Sequence, residues 1–120
     1  MWTYSQTTGN VSLNGECIGS AYSGNGDGLN NSDMQNIANV GPIPQGIYTI
    51  GSAFADPGKG PVVMRLEPNR ETDTFGRDGF LIHGDNSLIN HSASEGCIIA
   101  ARSIRDIVAA SEDKQLEVIV

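Results

Sequence analysis

The sequence predicts a mainly β, single compact domain with one or two short helices. Three observations carry this prediction. Fifteen glycines in 120 residues, with 38% hydrophobic and only 18% charged residues, describe a turn-rich globular chain rather than a helical bundle or a disordered one. Short apolar runs of strand length alternate with clusters of Gly, Asn, Asp and Pro. Helical spacing of apolar residues is evident at one place only, after Cys97. The length fits one domain over residues 1–120, and no internal repeat is present. A net charge of −7 with seven Lys plus Arg argues against nucleic-acid or anionic-membrane binding, which needs a clustered positive surface. No uncharged apolar stretch approaches the roughly 20 residues of a membrane span, so no membrane insertion is expected.

Taken in order, Trp2–Gln6 and Val11–Leu13 read as a hairpin turning at Thr8-Gly9-Asn10. After the Asn14-Gly15 turn, Cys17–Tyr22 is a third strand. Cys17 is expected there as a small core residue rather than as a disulfide partner of Cys97. Ser23–Asp33 is a glycine-rich surface loop that lacks both the terminal glutamate of an EF-hand and the Gly-Lys-Ser/Thr of a phosphate loop. One helical turn is expected at Asp33–Ala38. Pro42 and Pro44 stiffen Gly41–Gly46, which launches the strand Ile47–Ile50. A turn at Asp56–Pro61 leads to the strand Val62–Leu66. Glu67–Asp78 reads as a solvated charged loop, with Arg65 and Arg77 candidates to meet a substrate carboxylate. After Cys97, Ser103 is the expected N-cap of a helix over Ile104–Ala110 that packs on the sheet, with Ile104, Ile107 and Val108 at helical spacing. Leu116–Val120 is a closing strand, expected to be central or covered because an exposed copy invites aggregation.

The chemistry concentrates between Phe80 and Cys97, where both histidines and one of the two cysteines fall. Phe80-Leu81-Ile82 reads as a buried strand from which His83-Gly84 emerges into a polar loop, Asp85–Glu95. That loop returns at Ser94-Glu95-Gly96-Cys97 and can bring Cys97 beside His83. A thiol with an ordinary pKa of about 8.5 is mostly protonated at neutral pH, and a neighbouring imidazole can take its proton. Gly96 allows close approach of substrate, and the N–H groups of Gly96 and Cys97 are candidates for an oxyanion hole. Orientation of His83 needs a third group: Ser94, Asp85 or a backbone carbonyl. His91 reads as an exposed loop residue. Two other classes stand beside acyl transfer. One is a zinc site formed by His83, Asp85, His91 and Cys97, whose spacings of eight and six residues do not fit the common ligand pairs. The other is a non-catalytic β module that binds cell-wall glycans or a protein.

His83-Gly84 followed by Ser94-x-Gly96-Cys97-Ile98 resembles the signature of L,D-transpeptidases, cysteine enzymes of peptidoglycan stem peptides. Gly41-Pro42-Ile43-Pro44-Gln45-Gly46-Ile47-Tyr48 resembles the Pro-x-Gly-x-Tyr/Phe segment that precedes it in those enzymes. The form IHGDN then SxGCI, with a following Arg-Ser-x-Arg, is most similar to the L,D-transpeptidase-like effectors of the type VI secretion system. The resemblance implies an L,D-transpeptidase-like β-sheet domain with Cys97, His83 and Ser94 as catalytic residues. Gly84, Asp85, Asn86, Arg102 and Tyr48 are the implied substrate contacts, and no cofactor is implied. The implied reaction is L,D-carboxypeptidase or D-amino acid exchange at the diaminopimelate–D-alanine bond of tetrapeptide stems. The implied partners are the peptidoglycan stem, a cognate immunity protein and a secretion apparatus component. Met1–Gln6 lacks the basic start and apolar run of a secretory signal. The expectation is thus a chain made in the cytoplasm without a signal peptide, secreted by another route and acting as an antibacterial toxin in the periplasm of a target bacterium. One departure stands out: L,D-transpeptidases usually carry an arginine two residues after the cysteine, here Ile99, and Arg102 is the nearest basic residue.

Overall fold

A computed structural model describes residues 1–85 and 96–120. Among them the strands are β1 (Trp2–Ser5), β2 (Asn10–Leu13), β3 (Glu16–Ser20), β4 (Tyr22–Ser23), β5 (Gly46–Ile50), β6 (Phe54–Asp56), β7 (Gly60–Pro68), β8 (Leu81–His83), β9 (Ile98–Ile99) and β10 (Gln115–Ile119), with one helix, α1 (Arg102–Ala110). Period-two alternation sets the inner face. Trp2 and Tyr4 of β1 and Leu116 and Val118 of β10 are buried, while Thr3, Ser5 and Glu117 are only half-buried. The parallel register Trp2↔Leu116, Tyr4↔Val118 therefore stacks like on like.

The strands follow the order β3-β2-β1-β10-β5-β7-β8-β9-β4, with β6 paired to β7. The two ends of this path, β3 and β4, are consecutive in the chain, so the sheet curls into a nearly closed barrel. Ala21 N–H donates to the Gly9 carbonyl at 2.7 Å across that junction. Helix α1 lays Ile104 and Val108 against the core, and Gly19 gives it a seat, because a Cβ there would lie 2.7 Å from Ile104 Cδ1.

The Pro42–Pro44 segment is rigid for a reason beyond its prolines. Gln6, fully buried, donates from Nε2 to the Ile43 carbonyl at 2.9 Å, Ile43 N–H donates to Ser23 Oγ at 2.8 Å, and Tyr48 Oη donates to the Pro44 carbonyl at 2.8 Å. Side chains thus satisfy backbone groups that no ladder reaches.

The closing strand lies between β1 and β5, central as expected. Other expectations need correction. The third strand is two, β3 and β4, since the chain must turn at Ala21 to close the sheet. Cys17 is exposed on edge strand β3, not in the core, because a register shift at Val11/Ser12 and the path of α1 leave that end of β3 uncovered. Helix α1 begins at Arg102, and its N-cap is Ala101 without a side-chain cap, so Ser103 lies inside the first turn. The turn expected at Asp33–Ala38 is a 3-10 turn at Ser32–Met34, because Asn31 caps it by accepting from Asp33 N–H at 3.1 Å.

Candidate active site

The alternation that buries Ile82 in β8 turns its neighbours the other way. Strand β9 runs parallel to β8 with Ile82↔Ile98 and His83↔Ile99. Stepping back one residue sets Cys97 beside Leu81, on the same face as His83. The register thus puts imidazole and thiol on one side of two parallel strands. Both line one cavity of about 320 Å³, with Asn39, Lys59, Asp78, Gly79 and Gly96 also on its walls. Cys97 is half-buried, with Sγ 3.8 Å from the Gly79 carbonyl oxygen.

His83 is only 4% exposed, and its Nδ1 lies 2.8 Å from the Gly84 carbonyl oxygen. A carbonyl only accepts, so Nδ1 carries the proton and the Nε2 lone pair is left to act as a base. Burial pushes the His83 pKa below its ordinary value; the Gly84 bond acts against this, Lys59 and Arg105 add to it, and Asp56 opposes it. The imidazole is therefore neutral at neutral pH, a form able to accept a proton.

The same shift has a consequence for stability. Unfolded His83, with an ordinary pKa of about 6.5, binds a proton more readily than folded His83, so stability rises with pH across that window. The contribution is fully present above about pH 6.5 and is lost as pH falls below it toward the depressed folded value. Melting temperature is expected to drop more steeply between pH 7 and 5.5 in wild type than in His83→Gln. Parallel drops in the two proteins would contradict the assigned direction.

Residues 18–120 match the Tlde1 domain, a family of type VI secretion effector domains. The chain belongs to this family. The match covers both His83 and Cys97, and membership implies a secretion apparatus and a cognate immunity protein. Comparison with curated proteins found no match. No helix among the described residues is long and apolar enough to cross a membrane.

Within this Tlde1 domain the other expected site residues separate. Gly84 packs against Arg105, whose Nη2 would stand 2.8 Å from a Cβ at that position. Asp85 accepts from Tyr22 Oη at 2.8 Å and faces a neighbouring cleft of about 600 Å³ beside α1. Arg102 lines that same cleft and pairs with Asp106 at 3.0 Å on the exposed face of the helix; it does not line the Cys97 cavity. Tyr48, expected at the substrate, is instead a core residue with no exposed surface, because its hydroxyl is committed to Pro44 and its ring to Phe80 at a centroid distance of 5.8 Å. Asn86, His91 and Ser94 lie outside the described residues. Among the described residues no three His, Cys, Asp or Glu side chains gather as metal ligands.

Sequence reasoning missed Asn39, Lys59, Asp78 and Gly79 as cavity residues. Lys59 is carried over the site by the β6–β7 turn, where Asp56 Oδ1 accepts from Gly58 and Lys59 N–H at 2.8 and 3.0 Å. The Asp-Pro-Gly-Lys-Gly sequence signals this turn but not what lies beneath it.

Proposed function

We propose that this Tlde1 domain is a cysteine acyl-transfer enzyme of peptidoglycan tetrapeptide stems, releasing D-alanine from diaminopimelate and acting as an antibacterial toxin in the periplasm of the target cell. The observation that supports it best is the pairing of Cys97 with a neutral, Nδ1-protonated His83 in one cavity.

In this reading His83 Nε2 takes the proton of Cys97, and the sulfur attacks the diaminopimelate carbonyl. Backbone N–H groups at Gly96 and Cys97 receive the developing oxyanion; one such donor is worth about 2.7 to 4 kcal/mol where it has been removed. The protonated imidazole then gives its proton to the departing D-alanine amine, leaving a thioester. Water, deprotonated by His83, cleaves the thioester and gives L,D-carboxypeptidase activity. A D-amino acid amine in place of water gives exchange.

Lys59 is the one lysine or arginine among the described residues lining the cavity, and Asp78 stands on the same wall. The free D-centre of diaminopimelate carries a carboxylate and an ammonium, which this pair complements in charge. Lys59→Ala is expected to raise KM for the tetrapeptide about tenfold with kcat little changed, the pattern of a lost ground-state contact worth about 1.5 kcal/mol. An unchanged KM would remove Lys59 from substrate binding.

The direct test is mass spectrometry of purified disaccharide-tetrapeptide incubated with wild type, His83→Ala and Cys97→Ala, with and without an added D-amino acid. Loss of D-alanine with wild type alone supports acyl transfer through the pair, and a mass shift matching the added amino acid identifies exchange. No change in any sample, with folded protein and reduced Cys97, would overturn the proposal.

A further inference from the structure

A second cleft opens on the face that carries Cys97. Strand alternation sends Ile98 into the barrel core and leaves Ile99 outside it, on the side where Cys97 lies. Ile99 is a wall of the cleft of about 600 Å³ beside α1, whereas Cys97 and His83 line the cavity next to it. Two of the seven basic residues of this acidic chain, Arg102 and Arg105, also line the cleft. Arg105 is only 8% exposed and is fixed by three carbonyls: Nε donates to Ala100 at 3.0 Å, and Nη1 to Pro61 at 2.7 Å and to Val62 at 3.2 Å. Its Nη2 packs over Gly84 and makes no hydrogen bond to a described residue. Among the described residues Tyr4 Oη is the one sealed side-chain atom without a partner, so Nη2 keeps an opening to solvent, and the cleft supplies it. Helix α1 begins on the same wall. Its N-cap, Ala101, offers no side-chain oxygen, and no acidic residue stands in the first turn, so its first N–H groups add to the positive potential of the two guanidiniums.

We propose that this cleft is a second substrate subsite: between Arg102, Arg105 and the start of α1 it takes a carboxylate of the stem peptide, that of the γ-linked D-glutamate one residue before diaminopimelate. This rests on the stem being the substrate bound at Cys97. The electrostatics of the cleft favour an anion. Burial and then the charge of Arg102 disfavour the charged form of Arg105, with Asp106 acting the other way, and a carboxylate between the guanidiniums offsets both penalties. Arg102 is available to it, because its 3.0 Å pairing with Asp106 lies on the exposed face of the helix, where such a bridge is worth little. Asp85 stands on the opposite wall with Tyr22, whose hydroxyl donates to it at 2.8 Å, and its repulsion confines a carboxylate to the α1 side. Reach decides which carboxylate arrives. From Cys97 to Ile99 is two residues of strand, roughly 6.6 Å. With the diaminopimelate carbonyl at the sulfur, the extended chain through its amide puts the glutamate α-carboxylate roughly 8 Å away, past His83 and into the cleft. The D-alanine carboxylate, roughly 3.5 Å from the same carbonyl, stays at the Cys97 cavity. The free D-centre of diaminopimelate is the part matched to Lys59 and Asp78.

The test compares two stems that differ in that one group: the disaccharide-tetrapeptide with the glutamate α-carboxylate, and the same compound with its α-amide. Each is given to wild type, Arg102→Ala, Arg105→Gln and Arg70→Ala, with water as the sole acceptor. In wild type KM is expected to be about tenfold higher for the amide, because a guanidinium held in the cleft loses its charged partner. Arg102→Ala is expected to raise KM for the acid and leave that for the amide unchanged, so that the ratio falls to about threefold or less. Arg105→Gln is expected to do the same, and if it does not fold, Arg102→Ala decides alone. Arg70→Ala removes an equal charge from an exposed position that lines neither cleft, and the full ratio is expected to persist. Equal KM for the two stems in wild type, a ratio that Arg102→Ala leaves intact, or an equal loss in Arg70→Ala overturns the proposal. A difference seen only between D-alanine and D-alaninamide as acceptors places the carboxylate on the incoming amino acid and overturns it too. Titration calorimetry of Cys97→Ala with the two stems reads binding without turnover. Acid-selective binding that Arg102→Ala removes, without D-alanine release by wild type, supports the subsite and overturns acyl transfer; release from both stems at equal KM does the reverse.

Discussion

Cys97→Ala is expected to abolish D-alanine release, with turnover falling by at least about 10⁴-fold, the scale seen when a covalent nucleophile is removed and only binding and the oxyanion hole remain. The fold should survive. Cys97 is half-buried at the edge of a cavity, and its replacement removes one sulfur atom from a site where no core layer depends on it. A melting temperature within a few degrees of wild type is therefore part of the prediction. Expressed with export to the periplasm of a susceptible cell lacking an immunity protein, wild type should kill or lyse and Cys97→Ala should not. Equal toxicity of the two proteins would show that harm comes from something other than the thiol.

The largest stability effect is expected at Trp2. The indole is 1% exposed in the core cluster with Leu116 and Val108, and its Nε1 donates to Ser111 Oγ at 3.3 Å beyond the end of α1. Trp2→Ala removes the largest side chain of β1 from between sheet and helix, and truncations of this kind cost about 3–5 kcal/mol. Against a total stability of about 5–15 kcal/mol, that is at least about a fifth of what keeps a domain folded. Ile119→Ala is the control, since Ile119 is 42% exposed on the neighbouring strand and should change stability by less than about 0.5 kcal/mol. Urea unfolding of both variants checks the contrast. A Trp2→Ala loss of less than about 1 kcal/mol would mean that this corner of the core repacks.

What was legible in the sequence was local. The run Phe80-Leu81-Ile82 announced a buried strand, and His83 stood at its end because the polarity changes there. The apolar tail at Leu116 announced a strand too hydrophobic for an edge. The meeting of His83 and Cys97 was also within reach, since a polar loop opened by a strand and closed by Ser-Glu-Gly-Cys has few places to return. What escaped is what depends on distant parts of the chain. Cys17 reads as apolar strand, but whether it is covered depends on α1, some 85 residues later, reaching one end of β3 and not the other. Tyr48 carried the expected motif, yet the hydroxyl that marked it for substrate is committed to Pro44. Arg77 lay in a stretch rich in charge and turns, where arginines are usually solvated. Its burial follows from a tight turn, in which Arg77 N–H donates to the Thr74 carbonyl at 2.9 Å, aiming the side chain inward under the cavity.

The parallel pairing of β1 with β10 also bears on when this domain becomes a toxin. Trp2 leaves the ribosome more than a hundred residues ahead of its sheet partner Leu116. Until β10 is made, β1 and β5 have no strand between them, and the hairpin of β1 and β2 is detached from the half of the sheet that carries His83 and Cys97. Contacts this far apart in sequence form late and slowly. Synthesis must therefore pass Ile119 before the barrel can close, and a nascent or prematurely ended chain lacks the framework that holds His83 and Cys97 in one cavity.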